Sequence, residues 1–142
     1  MSIKRFMMFA FCAFIAVTLI SGCSSSAAKK DVKYVFVLIG DGFGPNQRIV
    51  GEQASGKTLA MNTLPCSVPT GTNNVNGDVT DSAASGTAIA CGVKTYNGAI
   101  GVDANKGKLT SLAKNLKEKG MSIGIISSCA ITDATPAAQY AQ

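Results

Sequence analysis

Two short apolar runs do most to limit what this chain can fold into. Lys33–Ile39 (Lys-Tyr-Val-Phe-Val-Leu-Ile) and Met121–Ser127 (Met-Ser-Ile-Gly-Ile-Ile-Ser) are rich in β-formers and show no polar alternation. Glycines adjoin them, and such runs read as strands covered on both faces, as in a parallel sheet. Between them, Leu109, Leu112, Ala113 and Leu116 recur at helical spacing, and Gly120 stops the pattern. Lys114, Lys117 and Lys119 read as its solvated face. A strand, a helix and a strand in that order predict a right-handed parallel unit. The expected class is α/β, a parallel sheet flanked by helices.

Chemistry-bearing residues fall just beyond the strand ends, where α/β sheets place ligands. The first run leads into Gly40-Asp41-Gly42-Phe43-Gly44, in which Asp41 reads either as a turn aspartate or as a ligand. Pro45 then opens a short helix over 46–54. Residues 59–78 are mixed, with a short strand expected over Ser67–Thr70 and a polar loop after it. Val79–Gly98 opens with a polar turn, continues as small residues with good helix formers, and meets Gly92 as a stop. There Asp81 is an N-cap candidate, and Ser82 is either an ordinary first-turn residue or a nucleophile near an anion-favouring helix start. Asn97-Gly98 predicts a tight turn. The second run leads into Ile131-Thr132-Asp133-Ala134-Thr135-Pro136, with Thr135 a candidate cap and Pro136 at a helix start.

The string Asp81-Ser82-Ala83-Ala84-Ser85-Gly86-Thr87-Ala88, followed by Gly92–Asp103, closely resembles the nucleophile segment of alkaline phosphatases. Leu38–Gly44 is similar to that family's first metal-binding motif, and Ile131–Ala138 to its next one. The resemblance covers roughly residues 32–142 in ordered pieces. It implies a three-layer α/β sandwich, incomplete here, and hydrolysis of phosphate monoesters through phosphorylated Ser82. It also implies two Zn²⁺ and one Mg²⁺. Asp41 would bridge a zinc and the magnesium; Thr135 would ligate the magnesium, with Asp133 reaching it through water. Zinc would lower the pKa of Ser82, and a second zinc would steady the leaving alkoxide and then activate water. Asp81 would help orient a phosphate-clamping arginine. The complete enzyme of this family leaves a homodimer open.

The departures from the family pattern also bear on function. The chain has no histidine, the commonest metal ligand. Arg48 is the only arginine after residue 22. The family's zinc-binding histidines and its clamping arginine lie downstream of the matched residues. The chain is therefore expected to be an amino-terminal part of such an enzyme, with little or no activity alone.

Residues 1–22 have a basic start, Lys4-Arg5, and an uncharged apolar run, Phe6–Ile20, too short for a membrane span. Ile20-Ser21-Gly22-Cys23 looks like a bacterial lipoprotein cleavage box, so Cys23 would carry lipid and residues 23–31 would form a tether. The expected location is the bacterial cell envelope, exported and lipid-anchored. Removing residues 1–22 lowers the net charge from +5 to +3, too little and too scattered to suggest nucleic acid. Of the five cysteines, Cys66, Cys91 and Cys129 read mainly as buried small hydrophobes, with one disulfide open to them.

Two other function classes stay in view. Gly51-Glu52-Gln53-Ala54-Ser55-Gly56-Lys57-Thr58 fits the P-loop pattern, which requires a buried strand before it and a helix after it. A P-loop nucleotide-binding protein would take ATP·Mg²⁺ there. A non-catalytic lipoprotein that keeps only the fold is the third class.

Overall fold

The computed structural model describes residues 32–141. Residues 1–22, expected to be a lipoprotein signal, the expected tether 23–31 and the lipidation candidate Cys23 lie outside the described residues. The chain divides into Met1–Leu38 and Ile39–Gln142. In the first unit, residues 32–38 run without helix or ladder, with Phe36 and Leu38 exposed.

The second unit is built from helices: α1 (Pro45–Ser55), a 3₁₀ turn (Ala60–Thr63), α2 (Ser82–Cys91), α3 (Leu112–Glu118) and α4 (Ala134–Tyr140). None of them is long and apolar enough to cross a membrane. Pro45 sits in the first turn of α1, and Gln47 Oε1 accepts the Gly44 N–H at 3.0 Å. Glu52 turns back from the same helix to accept from Leu59 N at 3.0 Å and from Asn62 Nδ2. Arg48 donates to Asn62 Oδ1, so the 3₁₀ turn is buckled onto α1. The Leu59 N–H, the Asn62 amide and the Arg48 charge hold the Glu52 carboxyl below its ordinary pKa.

α2 begins where Asp81 caps it and ends at Gly92, whose left-handed backbone returns its N–H to Ala88 O at 2.9 Å. Ala83, Ala84, Gly86, Thr87 and Ala90 are buried in this helix, and Pro136, Ala137 and Ala138 in α4. Small side chains let the two helix backbones come close. A Cβ added at Gly86 would lie 2.8 Å from Ala138 Cβ, inside any allowed contact. Thr87, fully buried, donates to Ala99 O at 3.1 Å and accepts from Gly101 N at 3.1 Å. That ties the loop after α2 to its own helix.

α3 starts three residues later than the apolar spacing suggests. The Leu109 N–H is taken by Gly101 O at 2.8 Å, beside a Val102–Lys108 antiparallel bridge, so Leu109 belongs to the preceding turn. Buried Ser111 then caps the helix by accepting from Lys114 N at 3.2 Å. Lys114, Lys117 and Lys119 are exposed, as expected of a solvated face.

The expected strands are not formed among the described residues. Residues 33–39, 67–70 and 121–127 carry no ladder, and Ile126 is exposed. A parallel strand needs a backbone partner alongside, and no described segment supplies one. The cysteines differ from expectation too. Cys66 and Cys129 are exposed, Cys91 is half-buried, and all three are free thiols. Desolvation raises the Cys91 pKa.

Gly86→Val will separate α2 from α4. We expect a loss of about 2 kcal/mol from overpacking. The gain in helix propensity over glycine is only a few tenths of a kcal/mol. Urea unfolding followed by circular dichroism measures the difference.

Candidate functional site

The site starts in the turn after residue 39. Phe43 N–H closes onto Gly40 O at 3.1 Å, with Gly42 at φ +67. Only a residue without Cβ takes that angle freely, so the glycine after Asp41 lets the turn close. The turn leaves the Asp41 carboxylate exposed. Its Oδ2 accepts from Ser82 Oγ at 2.8 Å and from Thr135 Oγ1 at 2.6 Å. Residues 41 and 94 positions apart in sequence thus meet on a single oxygen. The Thr135 hydroxyl, then the Ser82 hydroxyl, then the Gly42 N–H hold the Asp41 carboxyl below the usual carboxylate range, against a small opposing desolvation. A carboxylate so stabilised is a weak base and stays charged, which suits a cation ligand better than a proton acceptor.

Asp81 borders the site without joining that contact. Oδ1 accepts from Ala84 N at 2.8 Å, capping α2, and Oδ2 accepts from Gly98 N at 2.6 Å. Both oxygens are engaged by backbone, and each keeps a further lone pair for another donor. Asp133 precedes α4 as its N-cap residue and is exposed. Its side chain caps no N–H of the helix. It sits two residues from Thr135 and makes no hydrogen bond to Asp41.

The motif reading missed the frame behind Ser82. Buried Asn74 accepts from Asn76 N at 2.9 Å and from Asp78 N at 3.0 Å, and reaches Asn97 Oδ1 at 3.2 Å. Asn97 in turn holds the chain on both sides of Thr80. The one signal for it was Asn97-Gly98, read only as a turn. Lys94 is spent on Asn73, donating to its backbone O at 2.6 Å and its Oδ1 at 2.9 Å.

The P-loop-like segment is laid out in reverse of a phosphate cradle. Gly51–Ser55 form the end of α1, and Gly56 is its left-handed cap. The Gly56 N–H goes to Glu52 O at 2.9 Å and the Lys57 N–H to Ser55 Oγ at 3.3 Å. Helix carbonyls, not free N–H groups, converge there, so this geometry speaks against the nucleotide-binding alternative. A cavity of about 560 Å³ lies elsewhere, lined by Lys114, Lys117, Ile123, Ile125, Ile131 and Tyr140, and includes none of Asp41, Ser82 or Thr135.

Comparison with known proteins bears on this geometry. The family model for alkaline phosphatase matches residues 32–142. The chain belongs to the alkaline phosphatase family. It is 38% identical to alkaline phosphatase 4 of Bacillus subtilis over 133 residues, covering 80% of this chain and 27% of that protein. Against the alkaline phosphatase of Escherichia coli K12 it is 38% identical over 126 residues, covering 82% of this chain and 27% of that protein. Among solved structures, a cold-active alkaline phosphatase from Shewanella sp. superposes with a TM-score of 0.59 at 35% identity, over 71% of this chain and 27% of that one. The enzyme from Thermus thermophilus gives 0.54 at 32% identity, over 64% and 20%. This chain thus spans about a quarter of the length of the curated relatives it matches. The fold is that of alkaline phosphatases, seen here as a mostly helical part.

Thr135→Val will raise the Asp41 pKa, because the hydroxyl contributing most to its depression is gone. With the folded pKa below the unfolded one, Asp41 contributes stability above its unfolded value, and that contribution is lost as pH falls through the folded value. In the variant the folded value lies nearer the unfolded one, so the contribution should be smaller and its loss complete at a higher pH. An NMR titration of the Asp41 carboxyl carbon reads the shift directly.

Proposed function

We propose that this protein is a metal-dependent phosphomonoesterase that works through a phosphoserine at Ser82. The observation that carries the reading is the meeting of Ser82 Oγ and Thr135 Oγ1 on Asp41 Oδ2. Three segments matching three motifs of one family supply one atom each to a single polar cluster.

The donor set fits a hard divalent cation. A charged carboxylate and two hydroxyls are oxygen ligands of the kind magnesium takes. The described residues include no group of three or more His, Cys, Asp or Glu able to hold a metal. Among the 142 residues there is no histidine, so Asp41 is the ligand this chain would offer a zinc in common with the magnesium. A TAB5 alkaline phosphatase variant, superposing at a TM-score of 0.55 and 30% identity, is described with Mg bound in its M3 site. By that analogy Thr135 and Asp41 would hold Mg²⁺ here, with Asp133 in support, and two Zn²⁺ would complete the set. A cation held at Asp41 supplies the positive charge that lowers the pKa of the Ser82 hydroxyl.

The chain's own residues then act as follows. Asp81 caps α2 and so places Ser82 in its first turn, at the end of the helix that favours an anion. Asp41 orients the Ser82 hydroxyl. Ser82 gives up its proton to solvent and its Oγ attacks phosphorus; the new O–P bond forms as the bond to the leaving alkoxide breaks, and the alkoxide takes a proton from water. Water then cleaves the serine ester, releasing phosphate and restoring the hydroxyl. Substrates are phosphomonoesters. The protein is exported and lipid-anchored through Cys23 in the cell envelope, which the apolar run and cleavage box of residues 1–23 support. No nucleic acid partner is inferred, and a homodimer is the assembly consistent with the family reading.

In a full-length protein carrying this segment, Ser82→Ala should lower turnover of p-nitrophenyl phosphate by about a thousandfold or more, with the fold unchanged by circular dichroism. Incubation of the wild type with phosphate at acid pH, followed by mass spectrometry, should find phosphate on Ser82 and nowhere else. Undiminished turnover in the alanine variant would falsify the phosphoserine reading. A chelator should remove activity, and Zn²⁺ with Mg²⁺ should restore it.

A further inference from the structure

We propose that Asn97 is a positioning residue for Ser82: its carboxamide holds the turn from which the nucleophile is presented. The kinetic consequence rests on the phosphatase reading given above; the structural claim does not.

Asn97 lies 15 residues after Ser82, past the end of α2, yet it returns to the turn just before that helix. Its Oδ1 accepts from the Asp81 backbone N–H at 3.1 Å and from Asn74 Nδ2 at 3.2 Å. Its Nδ2 donates to Val79 O at 3.0 Å. The amide is oriented without ambiguity, since reversing it would set an NH₂ against two donors and an oxygen against a carbonyl. The next residue adds a further tie, Gly98 N–H to Asp81 Oδ2 at 2.6 Å. One two-residue turn therefore grips the carbonyl at 79, the N–H at 81 and the carboxylate at 81.

Asn74 makes the grip rigid. It is 5% exposed, and its own Oδ1 is saturated by the N–H groups of Asn76 and Asp78. Its Nδ2 can therefore serve Asn97 from a fixed position. The cap from Asp81 to Ala84 sets where α2 starts. It does not set how the chain enters from Val79, and Asn97 does. Because Asn97 is exposed, water can replace much of what its hydrogen bonds contribute to stability, but water cannot reproduce a fixed direction. The effect of losing it should fall on geometry, and a displacement of about 1 Å at a reacting atom can cost about a hundredfold in rate.

The test uses a full-length protein carrying this segment, as wild type, Asn97→Ala, Asn97→Ser, Asn97→Asp and, as a control, Glu52→Ala. The control releases the buckle on α1 and touches nothing near Ser82. Backbone amide exchange at Asp81 and the kcat and KM for p-nitrophenyl phosphate with Zn²⁺ and Mg²⁺ are measured for each. In Asn97→Ala we expect Asp81 exchange to quicken about tenfold or more. We expect kcat to fall about tenfold or more, with KM within about threefold of wild type. Asn97→Asp keeps an oxygen for the Asp81 N–H and should recover most of the protection. Asn97→Ser, too short to reach both Val79 O and Asp81 N, carries both readouts if the alanine variant does not fold. In Asn97→Ala or Asn97→Ser, exchange at Asp81 within about twofold of wild type overturns the proposal, as does a kcat loss no larger than that of the control. If the wild type itself hydrolyses no phosphomonoester, the phosphatase reading fails on its own and the exchange measurement alone decides the role of Asn97.

Discussion

One carboxylate oxygen takes hydrogen bonds from two hydroxyls that the chain brings from distant places. For Asp41 Oδ2 to meet both Ser82 and Thr135, α2 and α4 must lie close, with their first turns level. Gly86 and Ala138 allow that approach, since nothing larger than hydrogen fits on the α2 side. The polar cluster and the apolar contact therefore depend on one another. Separating the helices would pull Thr135 from Asp41, and a charged Asp41 without partners would no longer be held where Ser82 can use it. This is how a site exposed to water is nonetheless fixed in place.

Charge is arranged with the same economy. The cap on α2, the Asp81 carboxylate, is balanced by backbone N–H groups from both sides. Asp41 is balanced by neutral hydroxyls, which keep it ionised without neutralising it. Among the described residues, neither acid has a cationic side chain bonded to it. Lys94 is committed to Asn73, and Arg48 to Asn62. A negative centre with oxygen donors and no resident counter-charge is what a divalent cation would be drawn to.

Local signals carried much of this arrangement. The Asp81 cap, the run of small residues and the Gly92 stop are all short-range, and α2 spans the residues they indicate. The turn around Asp41 could be read from its flanking glycines for the same reason. Helix α3 was legible in its lysine face but not at its start, because the competing acceptor for Leu109 N–H, Gly101 O, is set by a turn whose closure the periodicity does not encode. The expected strands at 33–39 and 121–127 illustrate a different limit. Apolar β-formers state a preference for pairing, but a ladder exists only where a partner segment lies alongside. Asn74 and Asn97 were opaque for a third reason. Asparagine serves turns so commonly that nothing in its spacing separates a surface turn from a strut reaching back across a helix.

The buried residues around α2 and α4 are alanine, glycine, threonine and proline almost throughout. Such an interior has a lopsided response to mutation. There is little bulk to truncate, so the cavity-forming changes that damage most cores are nearly unavailable here. Each added methyl group, in contrast, must displace a backbone rather than a mobile side-chain tip. Sequence drift in this segment is thus confined to residues of near-equal volume, whether or not they touch the chemistry.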